Sequence, residues 1–450
     1  MSESPVATPG SWSRRPPGLP AVVPPPSVPL AFLAAAAAGL LACGIAWVIA
    51  APAAASDPTA DQVVAAAHFG LLATLSMAVL GALHQFGPVV TQRPLRSVPL
   101  ARASFVSWLA ASWLLPLGFA LAREDLVEAG GALAATAITL VALNLVPGLR
   151  TPKSEAPVIG LRFALAGFAL TGCFGVVYVA DRRANWFDLS GHVVLAHAVI
   201  GLFAWLGLAY VAVAEKLLAM FLLAHPPRRR AGRLAVWAIP LGTAALSPGL
   251  LFNSAWLALC GAAVLLTGLG AHLVSLGTHV RHRSRPVDLH LYFVLTSAGF
   301  LVAAAALGCA AALEIGADHH GGIALAAAAV GAVGGWLLVT LVGHLHKVVP
   351  FIAWSALRSR GVATHPTGHP LLFGDLYDHT AAGVSYALVT AGVLALVVGL
   401  GASAAAATMV GGVLFVLTGL TVVANLAVTP LRLLRRSSEP PAPALRLGAH

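Results

Sequence analysis

The run Gly343-His-Leu-His-Lys-Val-Val-Pro-Phe351 sets two histidines and a lysine in a stretch otherwise apolar enough to lie in a membrane. Similar interruptions recur: His68, His192 and His197 stand near the start of long apolar runs, while His84, Tyr210, Glu215 and Lys216 stand towards their ends. An ionisable group inside a bilayer costs a few kcal/mol, so each such position calls for a function and a partner. Neutral imidazole is the commonest protein ligand for haem iron and copper, and a pair facing a bundle interior can hold either. His68, His197 and His192 are therefore candidate haem ligands, with His68 and His197 the candidates for a metal. His84, Glu215, Lys216, His344, His346 and Lys347 form a candidate inner polar site, suited to a proton path or an anion. The plainer alternatives are histidines that cap helix ends against a carbonyl or water, and lysines whose ammonium groups snorkel to the cytoplasmic surface.

The elements that must hold these residues follow from composition. With 59% hydrophobic and 9% charged residues in 450, the chain lies outside the range of soluble domains and needs a lipid bilayer as its main solvent. Requiring about 20 apolar residues per crossing gives an all-α integral membrane protein with twelve transmembrane helices. They lie near 29–51, 62–90, 101–122, 128–148, 157–180, 189–223, 233–252, 254–278, 289–313, 321–356, 380–401 and 405–429. Residues 1–27, rich in Pro, Ser and Arg, read as a disordered cytoplasmic tail, 28–430 as the membrane domain and 431–450 as a second cytoplasmic tail. No small-residue cleavage site is evident after the first apolar run, which is expected to stay as a helix.

The formal charge of +10 is gathered into short clusters between the runs, a pattern that orients a membrane protein and argues against a nucleic-acid partner. Arg93, Arg96, Arg150, Lys153, Arg228, Arg229, Arg230, Arg233, Arg281, Arg283, Arg285, Arg358 and Arg360 all fall on one side. Both termini are then cytoplasmic, and the expected location is the cell's inner (plasma) membrane. The discordant outer loop holding Arg182 and Arg183 is expected to be neutralised by Asp181 and Asp188. The four cysteines stand alone in separate apolar runs and spell no metal site, and no nucleotide-binding loop or hydrolase triad appears.

Helices two, six and ten superpose without gaps at a constant spacing of 131 residues: Gly70-Leu-Leu-Ala73 on Gly201-Leu-Phe-Ala204, Trp205 on Trp336, and Gln85 on Lys216 and Lys347. The rare polar positions His84, Glu215 and His346 coincide, which suggests three pseudo-repeated four-helix units with those residues facing a common centre. In the same register His68 falls opposite position 199, two residues from His197, so the two imidazoles can share one depth.

Twelve helices with both termini inside, a threefold repeat and histidines on helices two, six and ten together resemble subunit I of the haem-copper oxidase superfamily. The runs from His68 to Val90, His197 to Phe221 and Gly334 to Trp354 are similar to its subunit-I-like members, relatives of the cbb-type oxidases and of the NnrS family. The resemblance implies a low-spin haem held between helices two and ten, and copper held by helices six and seven. It maps His68 to the helix-two haem ligand and His197 or His192 to the helix-six copper ligand. Helix seven has no histidine, so a full oxygen-reducing copper centre cannot be assembled. His346 lies sixteen residues beyond the position opposite His68, about 24 Å along the helix, too far for one haem to join them.

The expected function is a haem- and copper-binding inner-membrane protein on the oxidase subunit I scaffold. It would act in respiratory electron transfer, with respiratory partner subunits, or in handling nitric oxide, oxygen or the metal. The alternative is a cofactor-free polytopic transporter whose central polar path is lined by His84, Tyr210, Glu215, Lys216 and His346.

Overall fold

The computed structural model describes residues 23–153, 155–186, 191–225, 230–314, 319–365 and 367–438, with side chains left out at 191–192, 314–323, 326 and 428–438. Among the described residues there are twelve helices long and apolar enough to cross a membrane. They are α1 Ser27–Ser56, α2 Asp61–Thr91, α3 Val98–Ala120, α4 Glu124–Leu149, α5 Ala156–Ala184, α6 Val193–Leu222, α7 Arg230–Leu251, α8 Ala255–Arg281, α9 Leu289–Leu313, α10 Ala327–Ser359, α11 His379–Gly401 and α12 Ala405–Ala427. Large apolar side chains cover the outside: Trp256 is 81% exposed and Phe252 75%. Water would oppose such a surface and lipid favours it, so the chain is an all-α, multi-pass membrane protein. The backbone of the last helix continues to Ser438, past the end expected for the membrane domain. Of the tail expected over 1–27, residues 1–22 lie outside the described residues, as do 439–450 of the second.

Three helix pairs, α3–α4, α7–α8 and α11–α12, are built alike. Each is joined by a turn whose apex residue, Ala122, Asn253 or Ser403, has a left-handed φ of 51°. The next amide donates five residues back, Arg123 to Gly118 (2.8 Å), Ser254 to Gly249 (2.7 Å) and Ala404 to Gly399 (2.7 Å). This bond satisfies a carbonyl at the helix end that has no partner within the helix. The glycine also lets the second helix touch backbone to backbone: a Cβ on Gly118 would stand 2.6 Å from the Val127 amide nitrogen. Gly249 against Ala258 and Gly399 against Thr408 repeat that approach. On the opposite side Asn144 of α4 accepts the Ser97 amide (2.9 Å), and Asn425 of α12 accepts the Asp378 amide (2.7 Å). Ser97 and Asp378 in turn cap the first turns of α3 and α11.

The helices α2, α6 and α10 are the most enclosed, with 61%, 61% and 67% of their apolar windows buried. In α2 the turns Phe69–Ser76 wind as a π-helix, and in α6 the turns Ile200–Gly207 do the same, 131 residues on. Widening a helix leaves carbonyls short of their usual partners. Thr74 donates to the Phe69 carbonyl (3.2 Å), and Trp108 of α3 donates to the Leu72 carbonyl (3.2 Å), which also accepts the Met77 amide. Trp205 within the α6 segment donates to Ser76 at the end of the other (3.0 Å), tying the two together.

Arg182 and Arg183, near the end of α5, have partners on other helices. Arg182 pairs with Glu124 of α4 (2.7 Å) and Asp61 of α2 (3.4 Å), and Arg183 with Glu128 of α4 (2.6 Å). Asp181 accepts the Trp186 amide (2.6 Å). Asp188 lies outside the described residues.

Candidate functional site

A cavity of about 90 Å3 runs between α2, α6 and α10. Its wall is made of matched triples, each 131 residues apart: Leu75, Leu206 and Leu337; Ala78, Ala209 and Thr340; Val79, Tyr210 and Leu341; Ala82, Val213 and His344; Phe86, Leu217 and Val348. The three helices meet around it.

His84, Glu215 and His346 do not meet at that centre. They belong to a neighbouring register, and each points outwards into the helices packed behind it. His84 is fully buried and stacks on Phe32 of α1, ring centroids 5.1 Å apart. His346 stacks at 6.2 Å on Phe293 of α9 and lies 6.0 Å from Tyr377. The Glu215 carboxylate accepts from Ser275 of α8 (2.6 Å) and rests against Gly232 of α7, where any side chain would collide with it. The residue of the His-x-His pair that reaches the centre is His344, since two residues along a helix turn about 200°.

Five buried or partly buried histidines share one geometry. Nδ1 lies at hydrogen-bond distance from the carbonyl one turn earlier: His68 to Val64 (2.8 Å), His84 to Leu80 (2.8 Å), His279 to Ser275 (2.9 Å), His344 to Thr340 (2.8 Å) and His346 to Val342 (2.9 Å). That bond places the proton on Nδ1 and leaves the Nε2 lone pair free, the arrangement in which imidazole binds a metal. Nε2 of His84, His279, His290 and His346, and Nδ1 of His197 and His272, are buried with no hydrogen-bond partner among the described residues.

His68 lies against Phe119 (5.5 Å) and His197 against Tyr178 (5.6 Å), each near the start of its long helix. Each sits just ahead of, or at the mouth of, a π-helical segment. The side chains of His192, His319 and His320 lie outside the described residues. No three His, Cys, Asp or Glu side chains converge on a metal-sized point among the described residues. A metal held here would rest on one or two imidazoles, as haem iron does.

In the inner layer Lys216 is exposed, whereas Lys347 is buried and pairs with Asp288 just ahead of α9 (2.5 Å). The short 3-10 turn Phe373–Leu376 sits below it, and Phe221 and Phe373 place rings 5.8 and 5.6 Å from the Lys347 ammonium. His272 and His279 of α8 and His290 of α9 are all buried. His272 meets Tyr210 at 5.4 Å and Trp336 at 6.0 Å, and His290 meets His344 at 4.8 Å. The signal was present for His272, which stands nine residues before Arg281, about 13 Å inside the end of its helix.

No family model and no curated protein matches this chain.

Proposed function

We propose that the protein is a haem-binding protein of the cell's inner membrane, with His68 of α2 and His197 of α6 as the ligands. It would have both termini in the cytoplasm and three four-helix units arranged about the axis of the central cavity. The observation that carries the cofactor is the His68–His197 pair. Two imidazoles stand near the starts of α2 and α6; one is fixed by a backbone bond that frees Nε2, and the other has a buried nitrogen with no partner among the described residues. The matched cavity triples, the matched π segments and the three alike turns support the repeat. The basic residues of the opposite loops support the orientation. Bound there, haem would supply one-electron or diatomic-gas chemistry, in respiratory electron transfer or in handling nitric oxide or oxygen. The chain's own contribution is to orient the ligands, exclude water with Phe119, Trp113 and Tyr178, and seat the site beside the Arg182 cluster. Copper at the same imidazoles is the lesser part of the proposal, and partner subunits would supply electrons.

The test is the visible spectrum of protein purified in mild detergent, with and without dithionite, together with iron and copper analysis. A Soret band with sharp α and β bands is expected, lost or shifted in His68→Ala and His197→Ala and retained in His346→Ala. A colourless, metal-free preparation from haem-replete cells would overturn it.

A second reading, a transporter, draws on a different observation. Tyr210, His272, His279, Ser275 and Glu215 form a polar column off the central axis, with two imidazole nitrogens lacking partners. Buried polar groups left in this way are commonly met by water, and such a column can carry protons. Proton flux into proteoliposomes that Glu215→Gln abolishes would favour this reading.

A further inference from the structure

The wall of the central cavity is nearly all hydrocarbon, and almost no polar atom reaches it. Tyr210, Thr340 and His344 stand in that wall, but the Thr340 hydroxyl turns away to Ser297 of α9 (2.6 Å), and the His344 Nδ1 lies on the Thr340 carbonyl (2.8 Å). The space has an origin in the sequence. Leu75, Leu206 and Leu337 stand at one end and Phe86, Leu217 and Val348 at the other, and between them Ala78, Ala82 and Ala209 stop at Cβ. Packed interiors seldom leave a void much larger than a water. The three helices are also the most enclosed of the twelve, so a lipid chain would have to thread between the surrounding helices to reach it.

We propose that this cavity binds a small apolar molecule that makes no hydrogen bonds, of the size and class of a dissolved gas. Size follows from the volume. About 90 Å3 is several times the roughly 10–15 Å3 that admits one water and smaller than the roughly 150 Å3 that accepts benzene. The occupant therefore has about two to four heavy atoms. Its polarity follows from the wall. Water needs several polar partners to stay in such a space, and this wall withholds them. A charge or a hydroxyl would be stripped of its own water with nothing in return. An apolar molecule loses nothing on entry and gains dispersion contacts with Leu75, Leu206, Leu337, Val79 and Leu341. The site is separate from His68 and His197, and it stands or falls independently of haem.

The test is diffraction from crystals of the full chain under xenon and, in parallel, soaked in bromopropane or in bromoethanol, with xenon and bromine located by their anomalous signals. The two bromides match in heavy atoms and differ by one hydroxyl. Xenon and bromopropane are expected at one position between α2, α6 and α10, and bromoethanol at the same concentration is expected to give no peak there. Both peaks should vanish in Ala209→Leu and in Ala82→Leu, two independent fillings in case one fails to fold. No xenon peak between these helices, bromoethanol bound as well as bromopropane, a peak that survives either filling, or lipid, detergent or water density that xenon does not displace would each overturn the proposal.

Discussion

The ammonium of Lys347 lies 2.5 Å from the carboxylate of Asp288, and the pair ties α10 to the start of α9 beside the segment holding Phe373. The two partners are unequally placed: Lys347 is 10% exposed in its side chain and Asp288 46%. Losing the carboxylate strands a buried cation, while losing the cation returns a carboxylate to water.

Asp288→Asn should therefore destabilise more than Lys347→Met, by roughly 1–3 kcal/mol against less than about 1 kcal/mol, once half-exposure of the carboxylate is allowed for. Thermal unfolding in detergent measures the ranking. Limited proteolysis in 362–378 should quicken in Asp288→Asn first, and equal effects would refute the asymmetry.

Glycines divide into two kinds. Gly118→Val should drive a side chain into the Val127 backbone and cost at least about 3 kcal/mol, seen as lost expression of folded protein. Gly270 of α8 has nothing within 4 Å of its would-be Cβ, so Gly270→Ala should stabilise by about 0.5–1 kcal/mol.

His84→Leu and His346→Leu should leave both the haem spectrum and the thermal midpoint nearly unchanged. Each substitution removes a ring stack but also a buried Nε2 that no protein atom satisfies, so the net effect should stay within about 1 kcal/mol. A loss of several kcal/mol would mean that these nitrogens hold something in the native protein.

Tyr377, outside the membrane spans, has its phenol pushed above the ordinary value of 10.0 by burial and then by the Asp288 carboxylate. A phenol raised in the folded state adds stability that is complete below the unfolded value and is lost as pH climbs through the folded one. Loosening of 362–378 above about pH 10 is expected in the wild type and should be blunted in Tyr377→Phe, measured by proteolysis across a pH series.

Much of this architecture was legible in the residues. Twelve apolar runs and the spacing of 131 followed from hydropathy and from rare polar residues falling in step, and the cavity triples keep that spacing. What could not be read was rotation about each helix axis. Helices α2, α6 and α10 are apolar on all sides, so no stripe distinguishes the face at His344 from the face at His346. The π segments add a further turn that no residue type announces. The partner of Lys347, Asp288, stands 59 residues away in sequence, and no local spacing pointed to the pair.

The three glycine-closed turns have a consequence for how the chain is made. Each hairpin carries its own fastening and touches backbone to backbone, so both of its helices can leave the translocation machinery together as a finished piece. The central cavity cannot. Its walls are translated 131 residues apart, and the last of them, α10, emerges after nine helices are already in lipid. The central cavity can thus close only once α10 has been made, and chains cut short before Ala327 should be inserted yet lack it.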